Sequence, residues 1–358
     1  MAEKMMSYLK EQPLIWRHLM ENKGSITKDF VAAYTKNAVS QILVIASGSS
    51  YNAACAAAMS YQKHLGVRLV PVAPSRAMAL LPLFPPENTL VFVVSQSGES
   101  TNTISLMDDL HQMGYRIVGL TQLETSTVAK KSDVFVHIDC GEESVGPKTK
   151  GYSSTVLCLQ LLCFELAVSQ KRLCPAAYEK ELAKLAAVIA LADSNISNAI
   201  AWAKRHIPTL KDAPHMMIVA EGENQPVMLE GALKILETLY IPVTTYEFEE
   251  YLHGVQCSID ENSHILFVIP NGPNRERMLR LYAFHEQHQG KGYIIALDKP
   301  TGIDGELVVL TGGEDLFATY SVVIPAQVIS AVVSEAKGIN CDRSKFPEFV
   351  KVLGTKNW

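Results

Sequence analysis

The sequence predicts an α/β protein with two similar doubly wound lobes, each built around a parallel sheet. Short runs that are apolar on both faces alternate with helical segments, which is typical of parallel strands joined by right-handed crossovers. Four such segments begin at residues 41, 89, 115 and 152, and matching segments begin in the same order at residues 215, 264, 293 and 320. Four matched pairs, each about 170–180 residues apart, indicate an internal duplication.

The first lobe begins with QILVIASGSSYNAA (41–54), in which an apolar run leads through a turn of small residues into a helical pattern. Buried strands ending in turns follow in TLVFVVSQSG (89–98) and YRIVGLTQ (115–122). A long apolar helix is predicted over YSSTVLCLQLLCFELA (152–167). These segments predict a βαβ lobe whose ligands would bind in the loops that follow the strands.

The second lobe repeats this order of elements. An apolar run, a Gly-containing turn and a predicted helix follow one another again in HMMIVAEGENQPVMLEGALKIL (215–236). Strands are predicted in HILFVIPNG (264–272) and YIIALDKP (293–300), and a long apolar helix in YSVVIPAQVISAVVSEAKG (320–338). The two lobes should therefore share one topology.

The segments outside the repeat define the predicted domain boundaries. We predict a helical N-terminal arm over 1–35, the first lobe over 36–170, a helical linker over 171–210, the second lobe over 211–340 and a C-terminal tail over 341–358. The arm is too apolar to lie alone in water, so it should pack on the lobes or on a second subunit. Its apolar residues are Leu9, Leu14, Ile15, Trp16, Leu19 and Met20.

Composition and charge exclude several classes of protein. Hydrophobic residues make up 48% and charged residues 19% of the 358 positions, which is typical of a chain that folds around a sizeable core. The net charge of -5 argues against a nucleic-acid-coating protein, whose balance is usually basic.

Location and cofactors are predicted from what the sequence lacks. The N-terminal segment has early acidic residues and no continuous apolar stretch, so we expect no signal peptide. We expect no membrane span, because no apolar run approaches the required ~20 residues and the stretch 156–168 fits a buried helix. Seven scattered cysteines without a Cys-x-x-Cys pair indicate reduced thiols in the cytoplasm. No metal or other cofactor is predicted, and His285 and His288 are expected on a solvated helix face.

Two loops of the first lobe are rich in small hydroxyl residues. They read SGSSYN (47–52) and SQSGEST (95–101), and each lies between a predicted strand and helix. Backbone N–H groups at a helix start, hydroxyl donors and a permissive glycine together can hold an anion without Lys or Arg. Ser and Thr also serve simply as helix caps, but two such loops in one lobe favour a phosphate site.

The equivalent loops of the second lobe have a different chemistry. They read EGEN (221–224) and PNGP (270–273), which lack the hydroxyls and, in the first case, carry acids that would repel an anion. Neither a dinucleotide fingerprint nor a P-loop sequence is present. We therefore predict one phosphate site, in the first lobe, and a different function for the second lobe.

Candidate catalytic residues lie in the second lobe. Glu230, Lys234 and Glu237 share one face of the predicted helix, and His253 follows in EEYLHG (249–254). A carboxylate beside a lysine with a histidine nearby suits general acid–base work on a sugar. The same spacing is typical of a solvated salt-bridge stripe, and a histidine before glycine is often structural.

These motifs resemble the sugar isomerase (SIS) domain family. SGSSYNA (47–53) and SQSGES (95–100) resemble its two phosphate loops. LEGALKILETLYI (229–241), EYLHG (250–254) and KEQP (10–13) are similar to the isomerase half of glucosamine-6-phosphate synthases, in the same order along nearly the whole chain. The resemblance implies two flavodoxin-like SIS lobes and a homodimer.

The resemblance also implies residue roles. Glu237 would be the enolisation base, Lys234 would support the reacting oxygens, and His253 would assist ring opening, in this family sometimes from the neighbouring subunit. The sugar phosphate and nearby hydroxyls would be held by Ser49, Ser50, Ser95, Gln96, Ser97 and Ser100.

The sequence departs from the synthase pattern around the reacting end of the substrate. The segment VGPKTK (145–150) brings in a proline and Lys148, and Val255 stands where the family has a proline. The catalytic lysine of the synthase tail has no clean match, which leaves Lys351 and Lys356 as candidates. No glutaminase half with a nucleophilic cysteine is present, so we expect no release of ammonia from glutamine by this chain.

Three functions are compatible with these patterns. The chain could be an isomerase that moves a proton between C1 and C2 of a 6-phosphorylated ketose or amino sugar. It could instead be a deglycase or deaminase that releases an amine or amino acid from a fructosamine-type 6-phosphate. A non-catalytic phosphosugar sensor is the third alternative. In each case the expected partner is a phosphorylated sugar, without nucleic acid or membrane.

Overall fold

Two parallel sheets organise the chain in the computed structural model, which describes residues 3–35, 39–288 and 290–356. The ends of the predicted arm and tail at 1–2 and 357–358, and the predicted start of the first lobe at 36–38, lie outside the described residues.

Within the described residues, the first sheet has five strands in the order β2-β1-β3-β4-β5, and every neighbouring pair is parallel. Its strands are β1 (Gln41–Ala46), β2 (Arg68–Val72), β3 (Thr89–Val94), β4 (Ile117–Thr121) and β5 (Val134–His137).

The second sheet, over the same described part of the chain, has the order β10-β9-β8-β6-β7, again wholly parallel. Its strands are β6 (His215–Ala220), β7 (Val243–Glu247), β8 (Ser263–Ile269), β9 (Lys291–Leu297) and β10 (Leu307–Val309). Because β6 to β10 correspond in order to β1 to β5, the two sheets have one topology. The prediction of two similar doubly wound lobes is confirmed.

Helices connect the strands and cover the sheets. Those before and within the first lobe are α1 (Glu3–Glu21), α2 (Lys23–Tyr34), α3 (Ser49–Leu65), α4 (Pro74–Leu80), α5 (Thr101–Gln112), α6 (Thr127–Lys131) and α7 (Lys150–Ser169). The later helices are α8 (Pro175–Ala190), α9 (Ala192–Leu210), α10 (Asn224–Leu239), α11 (Phe248–Tyr251), α12 (Arg275–Gln287), α13 (Thr319–Val322), α14 (Ile324–Ala336) and α15 (Phe349–Val352). Short 3-10 turns lie at Leu81–Leu83, Val255–Ser258 and Asp315–Phe317.

The described residues fall into two compact units. One contains the second sheet and comprises residues 1–13, 145–149 and 184–344, whereas the other contains the first sheet and comprises residues 14–144, 150–183 and 345–358. The domain boundaries predicted from the sequence stay a proposal.

Both faces of each sheet are buried, which explains why the strand sequences are apolar throughout. In the first sheet, Val91 and Val93 belong to a cluster with residues of α4 and α5. Phe92 points to the opposite face, where its ring centroid lies 5.8 Å from Phe30 and 6.4 Å from Tyr61. Successive side chains along β3 point to opposite faces of the sheet, so one strand contributes to two separate hydrophobic cores.

The apolar helices correct one prediction from the sequence. By length and composition alone, three helical segments of the described chain could cross a membrane: Lys150–Ser169, Pro175–Leu210 and Thr319–Ala336. The prediction that no run approaches that length is wrong. Their apolar windows are 89%, 44% and 89% buried inside the protein, and a helix enclosed on all sides has the same composition as a membrane span. The prediction that residues 156–168 form a buried helix is confirmed.

The N-terminal arm is helical and its apolar residues are largely buried. Leu9, Trp16 and Leu19 are fully buried, whereas Leu14 is 65% exposed. The indole N–H of Trp16 donates to the Ser153 hydroxyl at 3.0 Å, which ties α1 to α7.

One histidine prediction is wrong. His288 is exposed, as expected, but His285 is fully buried and packs edge-on against Phe267 with ring centroids 5.9 Å apart. Its ring occupies the space beside Gly290, where a Cβ would lie 1.9 Å from Cε1 of the imidazole. A spacing of three residues places the two histidines on nearby but different parts of the helix surface, and tertiary packing covers only one of them.

Candidate functional site

The strand order of the first sheet reverses between β1 and β3, because β2 lies on one side of β1 and the other strands lie on the opposite side. Ligands of open parallel sheets bind at such a reversal, outside the carboxyl ends of the strands. The two hydroxyl-rich loops follow β1 and β3. The structure brings them together, since Nδ2 of Asn102 donates to the Ser47 hydroxyl at 3.2 Å.

The loop after β1 is a short turn that leads directly into α3. Gly48 has φ of 56°, a conformation that favours glycine, and the helix begins at Ser49. Ser49 and Ser50 are half-buried in the first turn, where backbone N–H groups lack intrahelical acceptors. This helix start can therefore present N–H and hydroxyl donors to an anion.

The loop after β3 is held in shape by its own hydroxyls. The buried Ser95 accepts a hydrogen bond from the Gly98 amide at 3.1 Å, and its hydroxyl lies 3.1 Å from that of Ser100. The Ser97 hydroxyl accepts from the Glu99 amide at 3.3 Å. Gly98 has φ of 65°, and a Cβ there would lie 2.1 Å from the hydroxyl oxygen of Ser126, so no larger residue fits.

Gln96 is fixed by residues that the sequence did not single out. Its Nε2 donates to Glu143 at 3.2 Å, and Glu143 also accepts from the amides of Lys150 at 3.3 Å and Gly151 at 3.1 Å. Glu143 is thus a buried carboxylate at the start of α7, where the helix dipole favours a negative charge. A Cβ on Gly151 would lie 1.8 Å from Nε2 of Gln96. The available signal was an acid between β5 and α7 and a glycine in the first turn of α7, which no sequence motif marks.

The predicted lysines are placed differently from one another. Lys356 pairs through its backbone with Ser100 in an antiparallel bridge, and the Thr101 amide donates to the Thr355 carbonyl at 3.3 Å. Lys351 lies exposed on α15, without a contact to the loop after β3 in the described chain. Lys148 is half-buried and belongs to the compact unit of the second sheet. Of the two tail candidates, Lys356 is therefore the one beside the loop after β3.

The predicted catalytic helix is α10, and it carries a buried charge cluster. Nζ of Lys234 lies 2.6 Å from Glu237 and 3.3 Å from Glu230. Glu230 and Lys234 are 0% and 1% exposed, whereas the Glu237 side chain is 33% exposed. The alternative of a solvated salt-bridge stripe is wrong for the buried pair.

The pKa of Lys234 reflects this cluster. Burial by itself would lower the pKa, but the neighbouring carboxylates of Glu230 and Glu237 raise it above its ordinary value. Lys234 therefore stays an ammonium inside the protein, and Glu237 is the member of the cluster that solvent or a ligand can reach.

His253 lies outside this cluster. It is exposed and follows α11, where its amide donates to the Glu250 carbonyl at 3.1 Å. Gly254 after it has φ of 117°, so the chain turns sharply there. No hydrogen bond or ion pair joins His253 to Glu237 in the described part of the chain. Among the described residues, no group of three or more His, Cys, Asp or Glu is placed to hold a metal ion.

A family comparison accounts for the first lobe. Residues 37–164 match the model of the SIS domain. This segment, about a third of the chain, is therefore similar to the SIS domain. Both the hydroxyl-rich loops and the Gln96–Glu143 pair lie within the SIS match.

Relatives extend the similarity over almost the whole chain. Glutamine–fructose-6-phosphate aminotransferase [isomerizing] of Encephalitozoon cuniculi is 28% identical over 328 residues, which cover 88% of this chain and 45% of the relative. The Pseudomonas aeruginosa protein of the same name is 26% identical over 363 residues, covering 95% and 57%. The chain thus spans about half the length of these curated relatives, and it is homologous to their isomerase domain.

Solved structures share the two-lobed fold. A candidate phosphosugar isomerase from Clostridium difficile superposes with a TM-score of 0.90 at 26% identity and covers 99% of both chains. A glucosamine-6-phosphate deaminase from Thermotoga maritima has a TM-score of 0.72 at 21% identity, covering 96% of this chain and 97% of its own. The second of these similarities concerns the fold alone.

Proposed function

We propose that this protein is an enzyme that moves a proton between C1 and C2 of a 6-phosphorylated ketose or amino sugar. The observation that carries the proposal is the pair of hydroxyl-rich loops at the strand-order reversal of the first sheet, joined by the bond between Asn102 and Ser47. Similarity to the isomerase domain of the aminotransferases supports the substrate class.

The phosphate is held by the first lobe in this proposal. The donors are the helix start at Ser49 and Ser50, the loop hydroxyls of Ser95, Ser97 and Ser100, and the side chain of Gln96. A doubly charged phosphate gains from several short charge-assisted hydrogen bonds and from the positive ends of α3 and α5. Lys356 adds a positive charge at the edge of the loop.

Glu237 is the proposed base. Its side chain is partly exposed, and Nζ of the buried Lys234 lies 2.6 Å from it and holds it in place. Lys234 also stabilises negative charge that develops on the sugar oxygens during enolisation. His253 is the proposed ring-opening group, since an exposed imidazole can act as a general acid and base toward a sugar oxygen.

A deglycase or deaminase activity is the second candidate. The segment 145–150 departs from the synthase pattern near the reacting end of the substrate, which favours a changed leaving group with the same proton chemistry. An isomerase passes through an enediol and a deglycase through an enaminol, so Glu237 and His253 would serve either reaction.

Partners and location are part of the same proposal. We propose a cytoplasmic homodimer that binds a phosphorylated sugar and has neither nucleic acid nor membrane as a partner. The mild negative charge of the chain supports the part of this proposal that concerns nucleic acid.

Solvent-deuterium exchange tests the proposal. The protein would be incubated in D2O with fructose 6-phosphate, glucosamine 6-phosphate or a 6-phosphorylated fructose–amino acid and followed by NMR. We expect deuterium at C1 or C2 of one of them, and release of free amine would select the deglycase or deaminase.

Two variants make this test decisive. Glu237→Gln should slow exchange by about 10²–10⁴-fold while substrate binding is kept, because only the base is lost. Glu261→Gln, at an exposed position away from α10, serves as the matched control. Saturable binding without exchange for every substrate would overturn the enzyme proposal in favour of a sensor.

A further inference from the structure

The second sheet has its own strand-order reversal, between β6 and β8, and a pocket lies there. The pocket encloses about 410 Å³ and is lined by the loop after β6, the loop after β8 and the segment around Asp315. This volume suits a monosaccharide or an amino acid, and the position is the one where doubly wound lobes bind ligands. The duplication has therefore preserved a second binding position with different residues.

The charge of this pocket is opposite to that of a phosphate site. Three carboxylates line it, from Glu221, Glu223 and Asp315, and no Lys, Arg or His of the described chain does. Burial, and then the nearby Asp315, raise the pKa of Glu223 above its ordinary value, so the carboxylates crowd one another without a compensating cation in the pocket lining.

The neighbouring arginines are already engaged. Arg275 donates to the carbonyls of Pro270 at 3.1 Å and Lys299 at 2.8 Å, and Arg277 pairs with the carboxylate of Glu249. Neither guanidinium lines the pocket, although Arg277 also interacts electrostatically with Glu221, so the carboxylates in the lining have no cation in contact with them there.

Two acceptor atoms of the pocket wall lack hydrogen-bond partners. Asn224, the first residue of α10, is 4% exposed, and its Oδ1 has no partner among the described residues. Glu221 accepts from Nδ2 of Asn274 at 2.7 Å through Oε1, but its buried Oε2 has none in the same part of the chain. An unsatisfied buried acceptor is unfavourable, so the wall favours a ligand that donates hydrogen bonds.

We propose that this pocket binds a small organic molecule through a primary ammonium group. An ammonium carries a positive charge and three N–H donors with no acceptor, so it suits a wall of acceptors and carboxylates without requiring all of them to converge on one point. A divalent metal fits less well, because no described group of three or more carboxylates, histidines or cysteines converges closely enough to hold one. Hydroxyl groups on the ligand would satisfy the remaining acceptors.

Calorimetric titration tests this proposal with glucosamine hydrochloride as the probe, and glucose and N-acetylglucosamine as uncharged controls at equal ionic strength. We expect the amine to bind at least about tenfold more tightly than either control. Asp315→Asn and Glu221→Gln should each weaken the amine by about tenfold, whereas Glu261→Gln should not.

Two further controls use a variant of the proposed phosphate loop and titration with the divalent cations Mg²⁺ and Ca²⁺. Ser97→Ala should leave binding of the amine unchanged, because that residue belongs to the phosphate loop. Equal binding of amine and neutral sugar, or unchanged binding in Asp315→Asn, would overturn the proposal. Tighter binding of Mg²⁺ or Ca²⁺ than of the amine would also overturn it. Deuterium exchange on the phosphosugars is measured separately, so failure here leaves the proposed activity untouched.

Discussion

Lys234 has the most constrained environment of any charged side chain described above. It is buried at 1% exposure, yet it keeps its charge because Glu230 and Glu237 approach Nζ at 3.3 Å and 2.6 Å. Isolated burial would have driven the lysine toward the neutral form. The cluster therefore fixes the orientation of Glu237 from within the protein and leaves its outer oxygen surface for a substrate.

Gly151 leaves the space that the side chain of Gln96 occupies, and in the described chain it makes no hydrogen bond to that side chain. Replacing it with alanine puts a Cβ 1.8 Å from Nε2 of Gln96, whose flexible end can swing away from Glu143 at little cost in stability. We expect Gly151→Ala to change the free energy of unfolding by less than ~1 kcal/mol but to raise KM for the phosphosugar by about tenfold. Steady-state kinetics and urea unfolding measure the two effects.

Gly24→Ala, at an exposed position of α2, is the control for this substitution, because nothing lies within 4 Å of a Cβ there. It should leave KM unchanged. An unchanged KM in Gly151→Ala would show that Gln96 takes no part in substrate binding.

At the scale of elements, the tail and the loop after β3 form a small antiparallel contact. The backbone bridge between Ser100 and Lys356 holds that lysine beside the phosphate loop, while Lys351 stays exposed on α15. We expect Lys356→Met to lower kcat/KM about tenfold, since a charged hydrogen bond to phosphate contributes ~1.5–3 kcal/mol. Lys351→Met is the matched control and should have little effect. Equal losses in both variants would contradict a specific role for the bridge.

The second sheet and its covering helix bury two histidines, His264 on β8 and His285 on α12. Burial is the main cause that lowers the pKa of each to about 4. Their unfolded pKa is near 6.5, so between these values the unfolded chain binds more protons than the folded one. The free energy of unfolding should therefore fall as pH decreases from about 6.5 to 4, by at most roughly 3 kcal/mol for each histidine.

Urea unfolding at a series of pH values measures this loss. His285→Leu should flatten the pH dependence, whereas His288→Leu, at the exposed neighbour, should not. A wild-type protein whose stability is the same at pH 7 and pH 4.5 would contradict the burial argument.

At the scale of the whole molecule, Glu237 and His253 lie in one compact unit without a bond between them in the described chain. This arrangement supports the proposal that a homodimer completes each site with a histidine from the second copy. A mixed dimer of Glu237→Gln with His253→Ala would then contain one intact site out of two, and we expect about half of the wild-type activity.

Co-expression with two affinity tags provides the mixed dimer, and each homodimeric variant is the inactive control. An inactive mixed dimer would show that both residues act within one copy. Sedimentation at low protein concentration establishes whether the dimer exists.

The duplicated fold and the position of the two hydroxyl-rich loops could be predicted from the sequence, because both depend on local patterns, whereas the phosphate role of the loops stays a proposal. Strands buried on two faces must be apolar throughout, and a helix start that binds an anion needs small hydroxyl residues and glycine within a few positions. The segments at 41–54 and 89–98 were therefore sufficient by themselves to predict a strand, a loop rich in small residues and the start of a helix. Resemblance to the SIS family assigned roles to Glu237 and His253 that spacing alone left open.

The remaining features depend on contacts between distant parts of the chain, and only the tertiary structure decided them. Packing buried Glu230 and Lys234 instead of leaving a solvated stripe, and it covered His285 but left His288 in water. Glu143 meets Gln96 from 47 residues away, and no local pattern records such a partner. A sequence specifies which side chains prefer burial, but the fold determines which of them share the space beside a given atom.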